Sequence, residues 1–446
     1  MTASAGRALE RRPPGPPGEI ALEDVRRDPL EFLMQMTRSY GDFVRYRSGG
    51  IDATLLSHPR SSRHVLQDRA ANYAKAGTPD LMILRPMLGE ALMTSEGCSW
   101  RRQRDMLRPA FTRRSVERFA PIMTAATREM LDGWARREDP AQPLEIGAQM
   151  TQLTLRIVAK ALFAFDVGSG ASTFGAAVQA LNETMGHPDP GDLEVTARFR
   201  RGLAALREIV ERVIDEPRDR DGSGLALLLE AHRDDGRGGG DVELRDQVLT
   251  FLLAGHETTA KTLGWCLYLL AMHPEAEARL REELRATVGD RVPQAGDLRA
   301  LHYGWAVLQE TLRLYPPVWI SSRTAISRDE IDGYEIPAGS LVCISPYALH
   351  RHPAFWEEPE RFTPERFLGG RSFGPASGYM PFSTGPRQCI GLQFARVELQ
   401  LVLSTLLQRY TLALVPGHPV EPEALVTLSP RHGLMMTVDR VEPDGR

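Results

Sequence analysis

Lysine is almost missing from this 446-residue chain: among 54 basic side chains it occurs only at positions 75, 160 and 261, and arginine supplies the rest. With abundant alanine, glycine and proline, that bias suggests a GC-rich coding sequence and a bacterial source. Cysteine is also scarce. Cys98, Cys266, Cys343 and Cys389 are too few for a disulfide scaffold and lack the C-x-x-C spacing of a zinc or iron-sulfur site. A reducing, cytoplasmic compartment is therefore expected. No apolar run reaches the ~18 residues of a membrane span, and the opening "MTASAGRALERRPPGPPG" lacks the apolar core of a signal peptide. The expectation is a chain with no membrane anchor that is not secreted. The absence of a G-x-G-x-x-G fingerprint argues against FAD or NAD held by the chain itself, and the length leaves no room for a fused reductase. A net charge of -4 argues against a dedicated nucleic-acid binder.

What is present describes an ordinary globular protein, 42% hydrophobic and 25% charged. The length would allow two or three domains. With no repeat and no long linker, one domain over 1–446 is expected, entered by a Pro-rich, extended lead-in over 1–20. "RDDGRGGGD" (233–241) reads as a loop joining two helices. Apolar residues at helical spacing mark "SVERFAPIMTAATREMLDGWARR", "MTQLTLRIVAKALFAF", "LRDQVLTFLLAGHETTAKTLGWCLYLLAMH" and "GWAVLQETLRLY". The third is long and nearly all apolar in its middle, so it should cross the core. Strand signals are fewer: "GDFVRYRSG", "DATLLSH", "SLVCISPYAL", "RYTLALVP" and "GLMMTVD". The fold class expected is mainly α with a minor β region, without the regular strand-helix alternation of a doubly wound sheet.

Chemistry concentrates in a few stretches. In "FSTGPRQCIG", Cys389 stands among Phe382, Gly385, Arg387 and Gly391. A thiolate that binds metal as the sole protein ligand must be shielded and surrounded by donors. The glycines would let backbone approach a flat cofactor, and Arg387 could pair with an anionic group on it. "AGHETT" sets Glu257 and Thr258 in the middle of the long apolar helix, where polar groups need partners. Ala254 and Gly255 share their face, small enough to leave room for a ligand. A zinc-protease H-E-x-x-H is excluded, because position 260 is Ala260. A threonine that bonds back to a carbonyl one turn earlier is the plainer account of Thr258. "ETLR" puts Glu310 and Arg313 on one helical face, either as a surface ion pair or, given the apolar surroundings, a buried one. "WRRQR" does the same for Trp100 and Arg104.

These motifs, in this order, resemble those of the cytochrome P-450 family: F-x-x-G-x-R-x-C-x-G at 382–391, A-G-x-E-T-T at 254–259, E-x-x-R at 310–313 with "PERF" at 364–367, and W-x-x-x-R at 100–104. The resemblance covers essentially the whole chain. It implies the family's fold, with haem b between the long central helix and the cysteine loop and Cys389 as axial thiolate and metal ligand. It also implies that Trp100, Arg104 and Arg323 of "SSRTA" hold the haem propionates, as Arg387 could. Glu310, Arg313 and Arg366 would lock the core beneath the haem. Thr258 would support dioxygen and a water, while Glu257 relays protons. A cysteine thiolate favours O–O cleavage, so the activity implied is a monooxygenase that hydroxylates or epoxidises a hydrophobic small molecule such as a terpene, polyketide or fatty acid. The segment 75–95, Phe251, Val318–Ser321 and Leu428 would line its pocket. Electrons would come from a ferredoxin or flavodoxin with its reductase, and Arg101, Arg102, Arg108, Arg113 and Arg114 are a candidate docking face. Oxidative rearrangement or coupling without oxygen insertion, and a non-catalytic haem sensor, are the alternatives. Neither needs Glu257 and Thr258.

Overall fold

The computed structural model describes residues 12–168, 174–178, 180–181, 193–215, 241–369 and 373–441. The loop expected at 233–241 lies outside the described residues, apart from Asp241, which begins a helix. The chain divides into two compact units, one of residues 1–82, 320–359 and 373–388 and the other of 83–319, 360–372 and 389–446.

The first unit is built on a six-stranded sheet. Strand Phe43–Ser48 turns at Gly49 and Gly50 into Ile51–Leu56. Both glycines have positive φ, 56° and 75°, the conformation that a tight hairpin demands and that side chains disfavour. Leu341–Ile344 pairs in parallel with Ile51–Leu56, and Ser321–Ala325 pairs antiparallel with Leu341–Ile344. The described part of the lead-in, from Arg12, runs without regular structure to the edge strand Glu19–Ile20, and the Arg45 N–H donates to the Pro14 carbonyl at 2.8 Å. Phe43, Leu56, Val65, Val342, Ile344 and Met380 make the core.

One expectation for this unit needs correction. "SLVCISPYAL" is not strand throughout: it ends at Ile344, where the Ser345 hydroxyl accepts from the Ala348 N–H and caps the helix Pro346–Leu349. Ser321–Ala325 is a strand although its sequence carries no strand signal; the neighbouring strand imposes it.

The second unit is helical, with small antiparallel sheets. Its axis is the helix Asp241–Met272, 32 residues and about 48 Å long. Largely apolar from Val248 onward, as a helix is when neighbours surround it, it packs against Ile146–Phe163, Leu193–Asp215, His302–Leu314 and Leu392–Leu407. Gly255 makes the first contact close: a Cβ there would lie 2.8 Å from a methyl of Val158. The pattern read as one helix over 115–137 is two, Arg113–Glu117 and Ala120–Ala135, because Pro121 can stand only in a helix's first turn. Among the described residues no helix is long and apolar enough to cross a membrane.

Candidate active site

Within the second unit the side chains singled out on the central helix fall on one stripe. Ala254, Gly255, Glu257 and Thr258 are half-accessible in a run whose other residues from 251 to 260 are buried. The Thr258 hydroxyl donates to the Ala254 carbonyl at 3.0 Å, the back-bonding expected of a mid-helix threonine. This leaves its oxygen lone pairs as acceptors. Glu257 accepts from the buried Thr427 hydroxyl at 2.8 Å. The buried His256 is held by other contacts: its Nδ1 lies 2.6 Å from the Leu252 carbonyl, and its ring stands edge-on to Phe174. Gly255's small size is accounted for by Val158, a correction to its reading as room for a ligand.

Cys389 immediately precedes the helix Leu392–Leu407. Its thiol is solvent-accessible yet crowded by protein, and burial pushes it above the usual thiol range. The Gly391 N–H and the Arg104 guanidinium draw it back toward the thiolate. A side chain on Gly391 would touch the sulfur, since a Cβ would lie 3.8 Å from Sγ. Arg104 stands over the Trp100 ring at 5.8 Å; burial and the neighbouring Arg108 lower its pKa, while Cys389 and Asp105 favour its charged form. Arg104, over the Trp100 ring, is thus within electrostatic reach of Cys389, which the Gly391 N–H also serves. The other thiols in closed packing differ: burial pushes Cys266 and Cys343 up to about 12.

In the first unit, Gly385–Arg387 form a 3-10 turn with Phe382 just before it. Gly385 has φ 71°, and a Cβ there would overlap the Leu66 carbonyl. Contact with the Leu66 carbonyl by itself demands a glycine here. Arg323 is buried in its strand and donates from one nitrogen to Ser321 Oγ at 3.0 Å and the Ser322 carbonyl at 2.6 Å.

Glu310 and Arg313 form the buried pair, not the surface one. Both are 0% exposed, joined through two bonds of 2.7 and 2.8 Å. Glu310 also accepts from the Thr363 N–H at 2.9 Å and meets Arg366 at 3.4 Å, while Arg313 donates to the Arg361 carbonyl. A buried pair holds only when its remaining hydrogen-bonding capacity is served, and here the segment 361–366 serves it.

Other expectations shift. Phe251 stacks on Phe111 at 5.4 Å, and Leu428 is wholly buried, its carbonyl accepting from Trp265. Both lie in closed packing instead of lining open space. In the arginine run, Arg102 is paired with Glu243 and the exposed Arg113 with Glu117; Arg101, Arg108 and Arg114 are exposed as well. Two residues escaped sequence reasoning. Thr427 sits in a stretch taken as pocket lining. Glu398 is 0% exposed, and neither carboxyl oxygen has a full hydrogen bond. Its signal was legible: it is the lone acid in "LQFARVELQLVLSTLL".

The family model described as "Cytochrome P450" matches residues 13–437. Among relatives, "Cyclooctatin synthase" of Streptomyces melanosporofaciens is 35% identical, over 91% of this chain and 90% of its own. "Cyclooctat-9-en-7-ol 5-monooxygenase" of the same organism is 36% identical, over 88% and 86%. "Pentalenene oxygenase" of Streptomyces avermitilis is 33% identical, over 91% of each. The solved "cytochrome P450DA heme domain" matches with a TM-score of 0.86 at 26% identity, covering 97% of this chain and 98% of that one.

Proposed function

The chain belongs to the cytochrome P450 family and is a monooxygenase, and from that premise we propose that it inserts one oxygen atom into a cyclic, terpene-like hydrocarbon or its alcohol. The relatives named for cyclooctat-9-en-7-ol and pentalenene support that substrate class. The observation that carries the chemistry is Cys389 held toward its thiolate by the Gly391 N–H and the charge of Arg104, which itself stands over Trp100.

The family implies a haem held by a thiolate, and these residues fit one. Among the described residues no group of three or more His, Cys, Asp or Glu could hold a bare metal ion. A metal on Cys389 would therefore take its other ligands from a macrocycle. Cys389 would bind the iron, with Gly391 and Arg104 favouring its thiolate, and Arg104 with Trp100 would hold a propionate. The same cofactor role is proposed for Phe382, Gly385, Arg387 and Arg323 from their sequence motifs alone. When bound, the haem supplies activation of dioxygen.

The chain's own contribution is protons and exclusion of water. Thr258 Oγ, whose hydrogen is committed to the Ala254 carbonyl, would accept a hydrogen bond from a water and so hold it in place. Glu257, half-accessible and held at Oε1, passes a proton from solvent to that water. The apolar neighbours Leu252, Leu253 and Ala260 keep the surrounding helix dry. Electrons come from a separate ferredoxin or flavodoxin; Arg101, Arg108 and Arg114 offer it a positive face. The reading carries a cytoplasmic location, supported by the bacterial relatives.

The test is a spin-state titration of the purified enzyme with cyclic terpenes, polyketide lactones and fatty acids, then turnover under labelled dioxygen with a ferredoxin system. One labelled oxygen in a terpene product is expected. A product without label would establish rearrangement or coupling, and a response confined to fatty acids would refute the substrate class.

A further inference from the structure

The conformation of Glu257 is set by a residue far away in sequence. The hairpin Pro422–Ala424 and Leu428–Pro430 pairs Ala424 with Leu428, which leaves Leu425 to Thr427 as its turn. That turn is clamped from several sides. The Leu428 N–H donates to the Pro317 carbonyl at 3.0 Å, and the Leu428 carbonyl accepts from Trp265 Nε1 at 3.2 Å. Trp319 Nε1 donates to the Leu425 carbonyl at 2.8 Å. Trp265 is itself fixed, wholly buried and stacked on Tyr315 with centroids 4.0 Å apart and planes 3° apart. Thr427 therefore has little freedom to follow Glu257. The residue is 5% exposed, and its hydroxyl donates to Glu257 Oε1 at 2.8 Å. A buried hydroxyl needs a partner, and a carboxylate is the strongest acceptor available to it.

We infer that Thr427 is the positioning residue for the proton-relay carboxyl: a rigid hairpin aims Glu257, so that proton delivery does not wait on the side chain's rotamer search. The inference rests on the role proposed above for Glu257. It adds a residue that does not touch the reacting atoms and acts only through that carboxyl. A long side chain fixed by one well-placed donor gains in effective concentration at its target, and relaxation of that hold slows protonation relative to loss of reduced oxygen as peroxide.

Four haem-loaded variants test it: Thr427→Val, Thr427→Ser, Glu257→Ala and the double variant Thr427→Val/Glu257→Ala. Thr427→Val should lower the ratio of product to peroxide about tenfold, while the substrate-induced spin-state shift and its midpoint stay unchanged. Thr427→Ser, which keeps the hydroxyl, should restore the ratio. Independently of turnover, denaturant unfolding should show the two single substitutions to be coupled, with the double variant's unfolding constant about tenfold closer to wild type than additivity predicts. Additive effects on unfolding, or a wild-type product ratio in Thr427→Val while Glu257→Ala is impaired, would overturn the positioning role and leave the proposed function standing. A wild-type ratio in Glu257→Ala would instead remove the relay itself, and Thr427's part in it.

Discussion

Glu398 should be a neutral acid that costs the folded protein stability as pH rises. It is 0% exposed on the helix Leu392–Leu407. Burial pushes its carboxyl well above the carboxylate range, and the Thr259 hydroxyl, which reaches toward it without completing a bond, offsets only part of this. The direction follows from linkage: a carboxyl raised on folding binds its proton in the native state at pH values where the unfolded chain, titrating near 4.3, has released it. Stability therefore falls with rising pH by about 1.4 kcal/mol per pH unit for as long as the folded acid keeps its proton. Between pH 5 and 7 that is about 2.7 kcal/mol, or roughly 3 °C in Tm for a chain of this length. Glu398→Gln cannot titrate, and its amide can donate to Thr259 as the acid's hydroxyl can. Calorimetry of haem-loaded wild type and Glu398→Gln at pH 5, 6 and 7 should show the variant gaining steadily on wild type, by that margin across the range. A Tm difference independent of pH would refute the reasoning, because it would mean that Glu398 is ionised in the fold or titrates as it does unfolded.

Removal of Arg313 should be severe: Arg313→Met leaves Glu310 buried with the Thr363 N–H and a distant Arg366, at a cost of about 3–5 kcal/mol. Denaturant midpoints check this, and Glu310→Met/Arg313→Met should be less damaging than the single change. Asp329 works oppositely to Glu398. Burial would raise its carboxyl, but donors from His64, Tyr73 and the Glu330 N–H outweigh that and hold it below the usual range. Its contribution is present above the unfolded value, near 3.9, and is lost as pH falls through the lower folded one. The Tm advantage of wild type over Asp329→Asn should accordingly shrink below about pH 4 and stay level above it.

The helix through the core was legible because "LTFLLAG" and "LGWCLYLLAM" are apolar on every side, a pattern that surface helices cannot carry. The four half-accessible residues in its middle turn, Ala254, Gly255, Glu257 and Thr258, were legible because polar and small residues stand out there. Less legible was what each small residue is for. Gly255 and Gly385 read as room for a flat ligand, yet Val158 and the Leu66 carbonyl occupy the space a side chain would need. Those contacts come from segments far off in sequence, which spacing alone does not reveal. The same holds for Ser321–Ala325, whose strand is imposed by its neighbour, and for Thr427, whose partner lies 170 positions earlier. Glu310 and Arg313 stand between these cases: their spacing announced a pair, and only packing decided that it was buried.

The account's central claim is that Cys389 is the thiolate ligand of a haem that activates dioxygen. The most direct measurement is the absorption spectrum of the purified protein reduced with dithionite under carbon monoxide, for wild type and Cys389→Ala. A strongly red-shifted Soret band in wild type that is lost in the variant is the predicted result. A band typical of histidine ligation, or a red-shifted band that survives Cys389→Ala, would contradict it.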